Sequence, residues 1–183
     1  MKTLLSVFGI ALLAFALGGC YVSKQPLFDR KDAVYPFADG TRYIEYTQSG
    51  GAWEEYARGT LTINNGWYVA TNKGHEKDAV KFIIKPWGKN YLGVATGANA
   101  NAGETHIYNY LYGILMPQSG EFLEYGPECM TLGVDALRKK GLVTVSLDHA
   151  DDCVPISLAA LGTIMQMVLD SQAKPNAKYV IVK

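Results

Sequence analysis

The spacing of apolar residues divides the chain into three regions. A continuous apolar run extends over residues 4–17. From about residue 35 to about residue 125, apolar and polar residues alternate in short runs separated by glycine-rich turns, which is typical of half-buried β-strands. Between residues 157 and 170, apolar residues recur every three or four positions, which predicts an amphipathic helix.

The strand region contains one strong turn signal. Asn65-Gly66 tolerates the positive φ angles of a type I′ turn, so we predict a two-residue hairpin in which Ile63 pairs with Tyr68. The strand before this turn is expected to cover residues 53–63 and to bend at Gly59, because glycine weakens a strand interior.

The last third of the chain changes from strand to helix patterns. Val134–Lys140 is predicted to form a short helix that ends at Gly141. Ser157 is expected to cap a second helix that runs to Asp170, and Tyr179–Val182 is expected to return as a strand. The predicted fold class is α+β: an antiparallel β-rich sheet, as a meander or a partly open barrel, with a C-terminal helix packed on it.

The first apolar run has the features of an export signal. Lys2 gives it a positive start, residues 4–17 form a short apolar segment, and Leu17-Gly18-Gly19-Cys20 places small residues before a cysteine. The run is short for a membrane-spanning helix. The last four residues resemble a bacterial lipobox. This resemblance implies that the signal is cleaved before Cys20 and that Cys20 is lipidated, which makes the membrane a partner of the chain.

The lipobox resemblance sets the expected organisation of the chain. Residues 1–19 are a signal peptide, residues 20–36 are a lipidated N-terminus and tether, and residues 37–183 are one globular domain. In lipoproteins of Gram-negative bacteria, an aspartate after the lipidated cysteine commonly retains the protein in the inner membrane. Tyr21 stands at that position, so for a Gram-negative host we expect the outer membrane, with the domain facing the periplasm or the outside.

Charge excludes one class of partner. The chain has 17 basic and 17 acidic residues, and Lys2 is the only charged residue before Cys20, so the mature chain has a formal charge of −1. A chain without a basic surplus or a polybasic run has no patch for phosphate backbones. We therefore expect no nucleic-acid partner.

The cysteine count favours one disulfide. Lipidation would consume Cys20 and leave Cys129 and Cys153. In an oxidising exported compartment, an intramolecular bond between these two is the default. Two free buried thiols or a metal-binding pair remain as alternatives, although neither a C-x-x-C spacing nor a nearby histidine pair accompanies them.

Two aromatic features are candidate recognition sites. Gly51-Ala52-Trp53 and the residues after it resemble the G-x-W motif of lipocalins, which implies that Trp53 closes the base of a ligand-holding barrel. A hairpin turn followed by an aromatic strand residue explains the same pattern. Tyr108, Tyr110 and Tyr112 share one face of a predicted strand, which is either a ligand or partner surface or a face covered by the C-terminal helix.

The sequence has no recognisable catalytic or metal motif. It lacks a G-x-S-x-G elbow and an H-E-x-x-H pair. The acidic run at residues 148–152 fits neither an EF-hand loop nor a zinc site, and we interpret it as a solvated turn. We therefore predict no metal and no cofactor. The function that we predict is a non-enzymatic binding or assembly module of the cell envelope with an envelope protein as partner, and the alternative is a lipocalin-like carrier of a small apolar ligand.

Overall fold

The alternating region folds into successive antiparallel hairpins. The computed structural model describes residues 21–96, 110–126, 129–145 and 153–182. Its strands are β1 (Val22–Ser23), β2 (Thr41–Ser49), β3 (Ala52–Asn64), β4 (Trp67–Asn72), β5 (Val80–Trp87), β6 (Asn90–Thr96), β7 (Tyr110–Pro117), β8 (Glu121–Tyr125), β9 (Val143–Val145), β10 (Cys153–Pro155) and β11 (Ala177–Val182). Its helices are α1 (Cys129–Leu132), α2 (Val134–Lys139) and α3 (Leu158–Asp170).

Eight of the strands close into a barrel. Strands β2 to β8 follow one another as antiparallel neighbours. The final strand, β11, lies between β8 and β2, with Tyr179 opposite Phe122 on one side and opposite Glu45 on the other. The predicted β-rich sheet with a C-terminal helix is confirmed. The sheet is neither a meander nor partly open, because β11 pairs with both of its edges and leaves neither of them unsatisfied.

The predicted hairpin is present with its expected register. Ile63 pairs with Tyr68 across the β3–β4 turn. Asn65 and Gly66 have φ angles of 49° and 75°, the left-handed conformation that a type I′ turn requires. This local signal therefore fixes how two barrel strands align.

The bend in β3 lies at a different residue from the one predicted. The register between β2 and β3 shifts between Glu45 and Tyr46, where β3 contains the extra residue Tyr56. Gly59 has another role: a Cβ atom there would collide with the ring of Tyr43, which lies across it. Glycine thus makes room for an aromatic side chain inside the barrel.

Helix α3 packs against the outside of the barrel. The Ser157 hydroxyl caps the helix by accepting a hydrogen bond from the Ala160 amide at 3.1 Å. The buried residues of the helix are Ala160, Leu161, Ile164, Met165 and Val168. Leu161, Ile164 and Met165 belong to the same apolar cluster as Ile83, Val94 and Ile114 of strands β5, β6 and β7. The amphipathic pattern predicted this helix and its buried face.

The segment predicted to be a tether is part of the fold. The Tyr21 side chain is fully buried and its backbone bridges to Cys153, while β1 pairs with β7. Phe28 is also buried and packs near Tyr112. The segment looks polar in sequence, but Tyr21, Leu27, Phe28 and Ala33 join the apolar cluster beneath α3, and this burial holds the segment against the barrel.

The next stretch of chain crosses one end of the barrel. The Val34 amide donates a hydrogen bond to the Ile84 carbonyl on β5, and the chain then runs across to the start of β2. On the way Phe37 is buried against Tyr68 and Phe122, with ring centroids 5.7 and 4.7 Å away. The Tyr68 hydroxyl binds both backbone polar groups of Phe37 at 2.9 Å. Phe37 therefore closes this end of the barrel.

A disulfide joins the connection after β8 to strand β10. Cys129 in α1 and Cys153 in β10 are bonded, with their Cα atoms 5.7 Å apart. This is the pairing that the cysteine count favours. Within the described ranges, no helix is long and apolar enough to cross a membrane.

Candidate functional site

The tyrosine row does not form an accessible surface where the structure describes it. Tyr112 is buried, and its hydroxyl accepts a hydrogen bond from the Leu27 amide and contacts the Ser23 hydroxyl, both at 2.7 Å. Tyr108 lies outside the described residues, and of Tyr110 only the backbone is described. Tyr112 thus fastens the N-terminal segment to β7 and is covered by it, whereas the covering element in the stated alternative was the C-terminal helix.

Trp53 lies on the outer face of the barrel, on its second strand. It stands near the start of β3, and the Lys178 ammonium group is 5.5 Å from the centre of its ring. The same ammonium group is 4.9 Å from the ring of Tyr46 and 3.5 Å from the Glu121 carboxylate. This arrangement places Trp53 in an aromatic and charged group on the outside of the barrel, and not at the base of the barrel as the lipocalin resemblance implied.

Two other predicted sites cannot be placed. Cys20 and the acidic run at residues 148–152 lie outside the described residues. In the part of the chain that is described, no three His, Cys, Asp or Glu side chains cluster closely enough to hold a metal ion.

The interior of the barrel contains a small apolar cavity that the sequence did not reveal. Its volume is about 50 Å³. The lining consists of aromatic side chains from five segments, aliphatic residues and a group of very small residues: Phe37, Tyr43, Leu61, Ala70, Phe82, Gly93, Val94, Ala95, Gly113, Ile114, Leu115, Phe122, Glu124, Tyr179 and Ile181. Glu124 is the one carboxylic acid among these lining residues.

Two carboxyl groups are buried at this interior. Glu45 on β2 is fully buried and Glu124 on β8 is 1% exposed. Strand β11 separates their strands, with Ala177 paired to Glu124 and Tyr179 paired to Glu45. The Tyr179 hydroxyl donates a hydrogen bond of 2.6 Å to Glu124 Oε2. Glu124 Oε1 and both carboxylate oxygens of Glu45 have no hydrogen-bond partner among the described residues.

Burial makes both acids reluctant to ionise. It raises the pKa of Glu45 to about 8, helped by the charge of Glu124 and opposed by the neighbouring Asn72 side chain. Burial also raises the pKa of Glu124 to about 7, against the hydrogen bond from Tyr179. The pKa of the Tyr179 hydroxyl is raised by burial and by the two acids. At neutral pH this interior therefore retains protons that a solvent-exposed carboxyl pair would lose.

The cavity is surrounded by apolar and aromatic residues, and Glu124 is its one acidic neighbour. The unpartnered carboxyl oxygens of Glu45 and Glu124 are themselves fully buried in the surrounding packing. The described lining residues include no serine, cysteine, lysine or histidine that could act as a nucleophile beside the acids. Comparisons with protein families, with curated proteins and with solved structures found no match to this chain.

Proposed function

We propose that this chain is an outer-membrane lipoprotein that holds a small closed β-barrel at the membrane surface as a non-enzymatic binding module. The observation that carries the proposal is the docking of the segment directly after Cys20. Tyr21 is fully buried and hydrogen-bonds through its carbonyl to the Tyr112 amide at 3.1 Å. One residue spans at most about 3.6 Å, so acyl chains on Cys20 would leave the protein next to the barrel wall.

This placement distinguishes the chain from a lipoprotein on a flexible linker. A lipid attached at Cys20 would hold the barrel close to the bilayer and limit its rotation, because the residues that follow are fixed to β7 and β10. Three acyl chains anchor firmly, since each buried CH₂ group contributes about 0.8 kcal/mol. Such a module would meet partners at the membrane surface and not at a distance from it.

The closed barrel supports a second candidate, a carrier of a small ligand. The volume of the cavity limits this role, because pockets for drug-sized molecules occupy about 300–1,000 Å³ and this one has about 50 Å³. A large apolar ligand is therefore a poor fit. A ligand of a few heavy atoms is compatible with the interior.

Lipid attachment is tested by metabolic labelling with a radioactive fatty acid. We expect the wild-type chain to be labelled and to fractionate with outer membranes, and Cys20→Ser to lose both the label and the membrane location. The matched control replaces both disulfide cysteines, Cys129→Ser with Cys153→Ser, and should keep the label. Equal labelling of the wild type and Cys20→Ser would refute the lipoprotein proposal.

A further inference from the structure

Gly93 leaves space inside the barrel that neither the backbone nor the packing requires. Its φ angle lies outside the left-handed region, so a side chain is permitted there. A Cβ atom would sit 3.8 Å from the Gly113 carbonyl oxygen and 4.0 Å from the Ile84 side chain, which are ordinary contacts. Gly59 is different, because a Cβ atom there would collide with the Tyr43 ring. Alanine is more favourable than glycine within a strand, so the effect of Gly93 is to keep the adjacent cavity open.

No polar group of the cavity lining is left for a ligand to bind. The polar side chains of the lining are Tyr43, Glu124 and Tyr179. The Tyr43 hydroxyl donates a hydrogen bond of 2.6 Å to Asn72 Oδ1, and the Tyr179 hydroxyl donates one of 2.6 Å to Glu124 Oε2. The remaining carboxyl oxygen, Glu124 Oε1, is fully buried in the surrounding packing. The surface that a guest would touch is therefore hydrocarbon.

The cavity also carries little charge below neutral pH. Burial raises the pKa of Glu124 to about 7, so below that pH the acid is mostly protonated and neutral. The described lining residues include no lysine, arginine or histidine. Water is a poor occupant, since an apolar cavity offers it no hydrogen-bond partners and stays dry. The occupant that fits this lining is uncharged and apolar.

The volume of the cavity sets the size of that occupant. Its volume of about 50 Å³ exceeds the 10–15 Å³ or so that one water molecule needs. An apolar cavity of about 150 Å³ holds one benzene ring, so a third of that volume holds about two or three heavy atoms. A whole fatty acid or an aromatic ring is therefore too large for it.

We propose that the barrel interior binds a small uncharged apolar molecule of about two or three heavy atoms, such as a short alkane or alkene. The guest lies against the wall formed by Gly93 and Gly113, which are direct partners on β6 and β7. The rings of Phe82 and Phe122 line the same cavity. This assignment rests on the small-ligand candidate proposed above and names the ligand class for it.

NMR titration of the mature lipidated protein in non-ionic detergent with xenon, ethane and propane, at a pH below the raised pKa of Glu124, tests the assignment. We expect saturable shifts of the Gly93, Ala95 and Gly113 amides with at least one of these gases, while the Asp135 amide on α2 stays unchanged. Methanol and ethanol match ethane and propane in their number of heavy atoms and should give no saturable shift, and benzene should be excluded by its size. The absence of saturable shifts with all three gases would overturn the assignment. Methanol or benzene binding as tightly as ethane or propane would also overturn it.

Gly93→Ala tests whether the glycine keeps the site open. The added methyl group makes only ordinary contacts, so the melting temperature should stay equal or rise. The same methyl group occupies part of the cavity, so the affinity for the gases should fall by about tenfold or more. Gln166→Ala is the matched control, because it changes the exposed side of α3 and leaves the cavity lining intact. If Gly93→Ala binds the gases as tightly as this control, the assignment is wrong.

The outcome is independent of the lipoprotein proposal. A protein that is labelled with fatty acid and binds none of the gases would keep its place at the membrane and lose this ligand class. A protein that binds the gases and is not labelled would keep the ligand site and lose the anchor.

Discussion

The stability of the domain should fall as pH rises through neutrality because of the buried acids. In the unfolded chain both carboxyls have a pKa near 4.5, whereas in the folded chain burial raises these pKa values to about 8 for Glu45 and about 7 for Glu124. At pH values between the unfolded and the folded pKa values, the folded chain binds more protons than the unfolded chain. The linkage relation then makes the free energy of unfolding decrease with rising pH.

The size of the effect follows from the number of protons. A difference of one bound proton changes the free energy of unfolding by about 1.4 kcal/mol per pH unit. Because each charge disfavours the other, we expect the pair to act as more than one and fewer than two protons. This slope should hold from about pH 5 to about pH 7. This is large beside the roughly 5–15 kcal/mol total stability of a typical domain.

Urea denaturation at several pH values measures this slope. The double variant Glu45→Gln with Glu124→Gln should be nearly flat over the same range, because both titrating groups are gone and the amides keep a similar shape. Asp135→Asn, an exposed change on α2, should keep the wild-type slope. If the double variant keeps the slope, or if wild-type stability rises with pH over this range, the interpretation of Glu45 and Glu124 as a buried acid pair is refuted.

Three further outcomes test the packing around the barrel. Leu161→Ala should lower the free energy of unfolding by about 2–5 kcal/mol, since its fully buried side chain belongs to the barrel cluster. In the same denaturation assay, Gln166→Ala on the exposed side of α3 should change the free energy of unfolding by no more than about 0.5 kcal/mol. Tyr112→Phe should cost about 1–3 kcal/mol, because the amide of a buried segment loses its acceptor, and hydrogen exchange should show faster opening of the N-terminal segment. Reduction of the Cys129–Cys153 bond, which spans a sequence separation of 24, should lower the thermal midpoint by an amount equivalent to about 3 kcal/mol.

Local patterns predicted the individual elements well. Asn65-Gly66 defined a turn and a register because a two-residue type I′ loop leaves no alternative pairing. Ser157 and the spacing of the apolar residues after it defined α3 from its cap to Asp170. These features depend on residues close in sequence, which is why the sequence alone suffices for them.

Closure of the barrel depends on contacts that no local pattern encodes. The final strand is short, and its sequence does not indicate that it pairs with both β2 and β8. The docking of residues 21–36 is equally non-local. In sequence Tyr21 and Phe28 are isolated apolar residues in a polar segment, and only the folded chain shows that they pack into the cluster under α3. Isolated aromatic residues in a polar segment therefore need not belong to a tether.

The acid pair is not visible in the sequence because apolar residues of β2 point to the face of the strand opposite the buried one. In β2 the apolar Ile44 and Tyr46 look like the inward set, yet Tyr43 and Glu45 are the buried residues. A glutamate in a predicted strand is normally assigned to the solvent-facing side, unless the register of the strand with its two neighbouring strands is known. The pairing of β2 with β11 forms only in the closed barrel, so the acid pair could not be predicted from the sequence of β2 alone.

The closed architecture restricts how this module recognises anything. A barrel without free edges does not extend its sheet by adding a partner strand, so recognition depends on side chains. On the outside, α3 and the N-terminal segment cover β5 to β7, while Tyr46, Trp53 and Lys178 form a partly exposed aromatic and charged group on β2, β3 and β11. On the inside, small and aromatic residues surround an apolar cavity. Strand β11 has residues on both faces of the barrel wall. Lys178 faces outward, and its neighbours Ala177 and Tyr179 lie within the barrel beside the two buried acids. Strand β11 therefore contributes both to the outer aromatic group, through Lys178, and to the barrel interior, through Tyr179.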